Sequence, residues 1–317
     1  MRILEIFTGG TIGSAMKDGY ITASEENLAR LLDKYKVMPG SRSDIEIDTC
    51  CPYTILSENL SGEHLNMLAD CIRENIGRDY CGIIITHGTD TLQYTAAALS
   101  IILENAPIPV LLVSSNYILD DPRANGAVNF CNAIRYIADG GKPGVYVSYD
   151  NSFTGNNIQP ASDMSSCILP ADSLLPHAPY SDRIEYLTGA RAKCGNGLFY
   201  NAVFSEHSPI LYVRALPGQM YPDIPKWARA VLLDSYHSGT VCTTLSTSNF
   251  CKKAKALGIP VYLIGSDISV CYESTRYFNE LDIHVLPKAS PIYIYMKLWL
   301  ILANNLDLEL LKATREA

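Results

Sequence analysis

The segment at residues 84–92, IITHGTDTL, constrains the fold more than any other part of the chain. It follows Gly82 and completes an apolar run of β-branched residues, typical of a strand covered on both faces. Beyond it, apolar residues recur at helical spacing, namely Leu92, Ala96, Leu99 and Leu103. The segment therefore predicts a strand, a tight turn and a helix start. In an open α/β sheet, polar groups at such a strand end face the ligand crevice, where the helix N-terminus also favours an anionic group.

Strand-like and helix-like patterns alternate along the first 150 residues. Strands are predicted near 3–7, 45–47, 82–85, 109–114 and 144–149, and helices near 24–35, 61–76, 92–105 and 126–138. Short alternating elements of this kind favour a parallel, doubly wound sheet. The pattern weakens from 150 to about 207 and then resumes. We therefore predict a large N-terminal α/β domain over 1–189, a linker over 190–208 and a smaller C-terminal α/β domain over 209–317.

Composition narrows the range of partners and cofactors. The 317-residue chain carries a net charge of −8 and a pI near 5.3, so nucleic acid is a poor partner. The apolar run 292–303 contains Lys297 and is too short to span a bilayer, so no membrane association is expected. The first residues lack a signal-peptide pattern, so we expect a cytoplasmic protein. Its ten cysteines would then be reduced and mostly buried, with Cys81 and Cys131 in the core. Without Cys-x-x-Cys spacing or clustered histidines, no metal is expected.

A second motif, TGGTI at residues 8–12, follows the first predicted strand. Its spacing matches neither the dinucleotide fingerprint nor the P-loop, which disfavours phosphate binding. The glycines would let backbone N–H groups approach a ligand closely, with Thr11 beside them. A plain tight turn would account for the glycines but not for the two threonines that flank them.

With these two motifs in this order, the chain resembles the bacterial-type L-asparaginase/glutaminase family, most strongly up to about residue 135. The resemblance implies an amidohydrolase that hydrolyses the side-chain amide of L-asparagine, or of a related small amide, and releases ammonia. It further implies that the protein is a homodimer or homotetramer and acts on its small amino-acid substrate without a cofactor. It also implies roles for five residues. Thr11 matches the nucleophile and Tyr20 the tyrosine that assists it. Ser57 matches the serine that holds the substrate carboxylate, and Thr89 and Asp90 match the second threonine and the aspartate that receives the α-amino group.

Hydrolysis of an amide by a threonine nucleophile requires these residue types. A threonine hydroxyl is a weak nucleophile unless a neighbour takes its proton. The attack produces an intermediate with a negatively charged oxygen, which needs hydrogen-bond donors. Backbone N–H groups at Gly10–Thr11 and Thr89 could supply them. An amino-acid substrate needs a carboxylate for its ammonium, here Asp90, and donors for its carboxylate, here Ser57 and Gly88.

Three positions depart from the family pattern. In the stretch that holds the family's catalytic lysine, this chain has Pro160, which can neither accept nor donate a proton. Where the family has an acidic residue after Ser-Pro, this chain has Ile292. The family's Tyr-Gly-x-Gly-Asn turn, which reaches a neighbouring subunit's site, is here 236–240 and lacks the asparagine.

These departures leave alternatives open. Glu58 could bind the substrate ammonium in place of the missing acid, and His237 of a neighbouring chain could act as a base. The chain could instead be a weakened member that senses an acidic or amidated amino acid. It could also hydrolyse a different amide in a pocket reshaped around Glu58 and Tyr117.

Two further side chains are predicted to be structural. His87 could form a catalytic dyad with the polar residues beside it, but we favour turn-shaping hydrogen bonds at the strand end. Arg123 is expected to anchor the loop in which it lies rather than to bind substrate.

Overall fold

A computed structural model describes residues 1–150, 158–163, 197–236, 238–264, 271–286 and 289–311. These residues divide into two units, with the boundary between Ala202 and Val203. That boundary falls inside the predicted linker over 190–208, of which residues 190–196 lie outside the described part of the chain. The predicted limits of the two domains stay predictions.

The first unit is built on a mainly parallel sheet. Among its described residues six strands pair in the order β4-β1-β5-β6-β7-β8, all parallel except β8, which runs antiparallel to β7. A separate hairpin joins β2 to β3. The elements of this unit are β1 (Arg2–Phe7), β2 (Ser14–Lys17), β3 (Tyr20–Ala23), α1 (Glu26–Lys36), β4 (Glu46–Cys50), α2 (Gly62–Asn75), β5 (Gly82–Thr86), α3 (Leu92–Ile102), β6 (Pro109–Val113), α4 (Gly126–Ala138), β7 (Gly144–Ser148) and β8 (Ile158–Pro160).

Helices cover both faces of this sheet, which explains why its central strands are apolar throughout. Helices α1 and α4 pack together over one face, where Ile3, Ile84 and Leu111 join a core with Leu31 and Phe130. Helices α2 and α3 pack together over the opposite face, to which the alternating residues of the same strands point. The predicted doubly wound arrangement is confirmed.

Serine side chains lie at or near the start of two helices of this unit. Helix α2 starts after Ser61, as predicted, and its turn is closed by the Ser61 N–H, which donates to Nδ1 of His64 at 3.2 Å. Helix α1 starts two residues after Ser24, whose Oγ accepts from the N–H of Glu26 at 3.3 Å. The start at Ser61 was predicted from the sequence because hydroxyl side chains favour the capping position. The prediction that Ser24 caps α1 is wrong by one residue, because Glu25 holds the capping position and its side chain makes no capping hydrogen bond.

The second unit is a smaller α/β region, as predicted. Its described strands pair in the order β12-β11-β10-β9, all parallel. Helix α5 begins earlier than the predicted residue 248, because Thr244 caps it and accepts from the N–H of Thr247 at 3.4 Å. The elements are β9 (Ile210–Val213), β10 (Ala230–Leu233), α5 (Leu245–Ala256), β11 (Val261–Leu263), α6 (Arg276–Glu280), β12 (Ile283–Val285) and α7 (Pro291–Ala303).

The cysteines are less buried than predicted. Among those that the structure describes, Cys131 and Cys251 are buried, whereas Cys81 is exposed. The core prediction for Cys81 is wrong because this residue stands one position before β5 begins, in the connection from α2. In the described parts of the chain, no helix is long and apolar enough to cross a membrane.

Candidate active site

The loop that follows β1 presents Thr11 at the carboxyl end of the central strands. The Thr8 hydroxyl donates to the carbonyl of Thr86 at 2.7 Å, tying the loop to the end of β5. Gly9 and Gly10 have φ values of 93° and 72°, which glycine adopts readily. Thr11 is half-buried and is the first residue of a short 3-10 turn over Thr11–Gly13. The glycines therefore fold the chain sharply enough to place this threonine at the sheet edge.

The two sequence motifs meet backbone to backbone. A side-chain carbon on Gly10 would collide with the Cα and N of Gly88 and would stand 2.8 Å from the carbonyl carbon of His87. A side-chain carbon on Gly88 would stand 2.5 Å from Cβ of Ser57 and 3.1 Å from Cα of Gly10. Both distances are shorter than an ordinary carbon–carbon contact. Gly10, Gly88 and Ser57 thus form one tightly packed cluster, which brings three predicted site segments together.

Ser57 and Asp90 form the polar part of this cluster. The Ser57 hydroxyl is buried and donates to Oδ2 of the exposed Asp90 at 3.4 Å. Thr91 donates to the backbone carbonyl of Ser57 at 2.8 Å, and Gln93 donates to the carbonyl of Asp90 at 3.0 Å. Motif spacing alone did not reveal these two supporting contacts. The result is a hydroxyl and a carboxylate held side by side, next to the half-buried Thr89.

Glu58 follows Ser57 in a short 3-10 turn over Ser57–Asn59 and is exposed. Its carboxylate therefore adds a negative charge to the turn that carries the cluster's serine, and that serine is bonded to Asp90. The predicted role of Glu58 in binding the substrate ammonium stays a prediction.

One predicted oxyanion donor is already engaged. The N–H of Gly10 donates to the carbonyl of Ile55 at 2.8 Å, so it is committed to the backbone of the neighbouring loop. The prediction that Gly10 supplies a donor is wrong for this reason. Thr11 and Thr89 remain the predicted donors.

His87 is structural, as the sequence favoured. It is buried, and its Nδ1 lies 2.8 Å from the carbonyl of Gly88 while its Nε2 lies 2.9 Å from the hydroxyl of Thr95. Because a carbonyl can only accept, Nδ1 carries the proton and Nε2 accepts from Thr95. Burial lowers the pKa of His87 to about 4, so the ring is neutral near pH 7. Both nitrogens hold the turn in shape and neither is available for catalysis.

Tyr20 lies on an exposed hairpin. It is the first residue of β3 in the hairpin that follows Thr11, and its side chain is 77% exposed. Gly19 turns the hairpin with a φ of 83°. The predicted role of Tyr20 in assisting Thr11 stays a prediction.

The positions that depart from the family pattern have definite places in the fold. Pro160 ends the short strand β8 and pairs with Tyr146 of β7. Ile292 is buried in the first turn of α7, which Ser290 caps by accepting from the N–H of Tyr293. His237 lies outside the described residues, as do residues 151–157 that precede β8.

The loop after β6 is anchored by Arg123, as predicted. Its guanidinium lies 4.0 Å from the centre of the Tyr117 ring and donates to both carboxylate oxygens of Asp121, at 2.9 and 2.7 Å. This pairing covers one face of Tyr117.

The buried carboxyl group of Glu5 was not identified from the sequence. Glu5 lies in the middle of β1 with no exposed surface, and Thr86 donates to its Oε1 at 2.8 Å. The other oxygen, Oε2, has no hydrogen-bond partner. Burial raises the pKa of Glu5 to about 8, so the group is mainly protonated at pH 7. The sequence feature that could have indicated this buried carboxyl is the one acidic residue within the otherwise apolar segment 3–7.

The described residues hold no group of three or more His, Cys, Asp and Glu side chains arranged for a metal ion. The site consists instead of hydroxyls, the carboxylates of Asp90 and Glu58, and backbone groups near Gly88.

Comparison with known proteins agrees with this geometry. The family model described as "Asparaginase, N-terminal" matches residues 2–165, more than half of the chain. The chain belongs to the asparaginase family. The match spans the loop of Thr11, the turn of Ser57 and the motif of Thr89 and Asp90, which are the segments that meet in the cluster.

Two curated relatives of this asparaginase-family chain differ in the activity they are named for. An L-asparaginase of Thermococcus kodakarensis is 29% identical over 248 residues, which cover 76% of this chain and 73% of that protein. A glutamyl-tRNA(Gln) amidotransferase component from Methanosarcina barkeri is 37% identical over 139 residues, which cover 44% of this chain and only 32% of that protein.

Solved structures confirm the fold over nearly the whole chain. L-asparaginase I from Vibrio cholerae aligns with a TM-score of 0.72 at 21% identity, covering 99% of this chain and 98% of that one. The thermostable L-asparaginase from Thermococcus kodakarensis aligns with a TM-score of 0.68 at 24% identity, covering 98% of this chain and 96% of that one.

Proposed function

We propose that this asparaginase-family chain is an amidohydrolase whose nucleophile is Thr11 and whose substrate is L-asparagine or a related small amide. The observation that carries the proposal is the packed cluster of Gly10, Gly88 and Ser57. In this cluster the loop that carries Thr11 lies against the turn of Ser57, whose hydroxyl is bonded to Asp90; a hydroxyl and a carboxylate side by side would suit an amino acid.

The binding half of the reaction follows from the cluster. The Asp90 carboxylate would receive the substrate's α-ammonium group as a charge-assisted contact. The Ser57 hydroxyl, whose bond to Asp90 is long at 3.4 Å, would turn toward the substrate α-carboxylate. Backbone N–H groups near Gly88 would add donors to the same carboxylate. The substrate's side-chain amide would then extend toward Thr11.

In the chemical half, the Thr11 hydroxyl attacks the amide carbon and passes its proton to a neighbouring base. The negative charge on the amide oxygen is stabilised by the N–H groups of Thr11 and Thr89. The base passes this proton to the amide nitrogen, so that collapse of the intermediate expels ammonia and leaves an ester on Thr11; water then hydrolyses the ester to a carboxylic acid and regenerates the Thr11 hydroxyl. Tyr20, on the hairpin that follows Thr11, would assist the attack.

A second function is favoured by one specific observation, the position of Pro160 in β8. If no other group replaces the lysine, the rate loss is about 10²–10⁴-fold, the usual contribution of a positioned acid or base. The chain would then bind an acidic or amidated amino acid as a sensor or regulator. Glu58 would strengthen the hold on its ammonium group.

The two functions are separated by measuring ammonia release from L-asparagine, L-glutamine and D-asparagine. Thr11→Ala should abolish turnover, whereas Thr49→Ala, at an exposed threonine on edge strand β4, should leave it unchanged. Equal turnover in wild type and Thr11→Ala would refute Thr11 as the nucleophile.

Calorimetric binding of L-aspartate tests the second function on the same proteins. Tight binding without turnover would support the sensor. A gain of turnover in Pro160→Lys would then locate the defect at that position. Absence of both binding and turnover would reject both functions.

We also propose that the active form is a homodimer or homotetramer, on the resemblance described above. Light scattering coupled to size exclusion measures this, and a monomer that turns over L-asparagine would contradict it.

A further inference from the structure

The thiols of Cys50 and Cys71 are in contact near the start of the loop that carries Ser57. The Sγ atoms of Cys50, the last residue of β4, and Cys71, in α2, are 3.2 Å apart. A disulfide bond is about 2.0 Å long, so the sulfurs would have to approach by only about 1.2 Å. Both residues are half-buried, which leaves them accessible to a small oxidant. This is the one sulfur–sulfur contact found among the described cysteines.

The neighbouring Cys51 is not an equivalent partner. Successive side chains at a strand end point to opposite faces, and Cys50 pairs with Ile6 on the face that α2 covers. The Cys51 sulfur instead contacts oxygen atoms, at 3.3 Å from Oγ1 of Thr54 and 3.5 Å from the carbonyl of Tyr53. The strand alternation therefore selects Cys50 for Cys71.

The chain between the two thiols holds part of the candidate site. After Cys50 it passes Ile55, which accepts from the Gly10 N–H and whose own N–H donates to the carbonyl of Thr8 at 3.2 Å. It then carries Ser57 and Glu58 and returns through α2 to Cys71. A bond between the two sulfurs would close this stretch into a covalent ring.

We propose that Cys50 and Cys71 are a thiol–disulfide modification site whose oxidation fixes the loop that carries Ser57. The oxidant is a small-molecule disulfide such as oxidised glutathione. The Cys71 thiolate attacks one of its sulfurs and releases one thiol, forming a mixed disulfide on Cys71. Cys50 then loses its proton and attacks the Cys71 sulfur, releasing the second thiol. Two protein thiols are oxidised and one external disulfide is reduced to two thiols.

The attacking role of Cys71 follows from the contact. The two thiols share a hydrogen bond, which lowers the pKa of Cys71 and raises that of Cys50. The thiolate is the nucleophile in such exchange, so the first step falls to Cys71. The site does not depend on whether Thr11 is a nucleophile.

Peptide mapping of the full-length protein tests the pairing. Reduced protein is incubated with oxidised glutathione, blocked by alkylation and cleaved after glutamate. Cleavage at Glu58 and Glu63 separates Cys50 from Cys71, so a disulfide would join the fragments 47–58 and 64–74. We expect this joined species in wild type and in Cys51→Ser, and its loss in Cys50→Ser and Cys71→Ser. Joined fragments that disappear in Cys51→Ser, or oxidation confined to exposed Cys81 and Cys271, would overturn the assignment.

Hydrogen exchange tests the effect on the loop. Oxidation should slow exchange of the backbone amides in 51–61, on the order of tenfold, because loop closure removes open conformations. The same oxidant should have no effect on these amides in Cys71→Ser, whose circular dichroism should match wild type. Unchanged exchange in oxidised wild type would overturn the rigidifying role.

Discussion

The hydroxyl of Thr91 donates to the backbone carbonyl of Ser57 at 2.8 Å and so joins the turn after β5 to the loop after β4. The bond holds the serine's backbone from one side while Gly88 packs against its side chain from the other. The position of the Ser57 hydroxyl is therefore set by two residues of the motif that also supplies Asp90.

Replacing Thr91 with valine should weaken ligand binding without unfolding the protein. The substitution removes one hydrogen bond, worth about 1 kcal/mol, which corresponds to about a fivefold rise in the Kd for L-aspartate if the serine is no longer held. Thr91→Ser keeps the hydroxyl and should restore the affinity. Titration calorimetry measures all three proteins. Equal losses in Thr91→Val and Thr91→Ser would mean that the hydroxyl is not responsible.

Gly88→Ala should disrupt the cluster directly. The added carbon would stand 2.5 Å from Cβ of Ser57 and 3.1 Å from Cα of Gly10, so both loops must shift. Overpacking of this kind typically costs about 1–3 kcal/mol of unfolding free energy. Urea denaturation measures it, with Gly77→Ala as the matched control because nothing lies within 4 Å of the carbon added there. Equal midpoints for the two variants would contradict the packing argument.

Glu58→Gln should weaken L-aspartate binding modestly. Its carboxylate is exposed, so its attraction for the substrate ammonium is largely screened by water, and the expected loss is at most about fivefold. The loss should shrink at high salt. Glu63→Gln, at an exposed glutamate in the first turn of α2, serves as the control. If affinity is the same in Glu58→Gln and wild type, the residue does not bind the ammonium.

Local patterns predicted those parts of the fold that depend on local physics. The helix start at Ser61, the apolar strand β5 and helix α4 could be predicted from a capping residue and from periodicity. The two threonine motifs identified the segments that form the cluster. The contact between Cys50 and Cys71, by contrast, depends on how α2 lies against the sheet. The separation of residues 50 and 71 along the sequence does not indicate that their sulfur atoms are in contact.

The environments of the Glu5 carboxyl and the Gly10 N–H were harder to predict because they also depend on how distant segments pack. Glu5 looked like one polar interruption in an apolar strand, and only the packed sheet shows that it has no exposed surface. The hydrogen bond of the Gly10 N–H could not be predicted from the sequence either, because its acceptor, the Ile55 carbonyl, lies 45 positions away along the chain.

His87 should contribute stability that is lost in acid. Its pKa is about 4 in the folded protein against 6.5 ordinarily. Between these values the unfolded chain binds a proton that the folded protein does not, so this residue makes unfolding free energy rise with pH by up to about 1.4 kcal/mol per unit. His87→Asn should lower the slope by that amount relative to wild type, whatever the variant's overall stability. His207→Asn, whose side chain is 87% exposed, serves as the control. Urea denaturation at several pH values between 4 and 6.5 measures the slopes, and equal slopes in His87→Asn and wild type would contradict the assignment.

Glu5 should have the opposite effect at higher pH. Its folded pKa of about 8 lies above the ordinary 4.5, so the folded protein holds a proton that the unfolded chain has lost. Stability is fully present below 4.5 and falls as pH rises toward 8, again by up to about 1.4 kcal/mol per unit. From 4.5 to 6.5 the slopes of Glu5 and His87 cancel, and from 6.5 to 8 only that of Glu5 remains. Glu5→Gln, which mimics the protonated acid, should therefore abolish the decline above pH 6.5 and expose the His87 slope below it. If Glu5→Gln loses stability above pH 6.5 as steeply as wild type, the decline has another source.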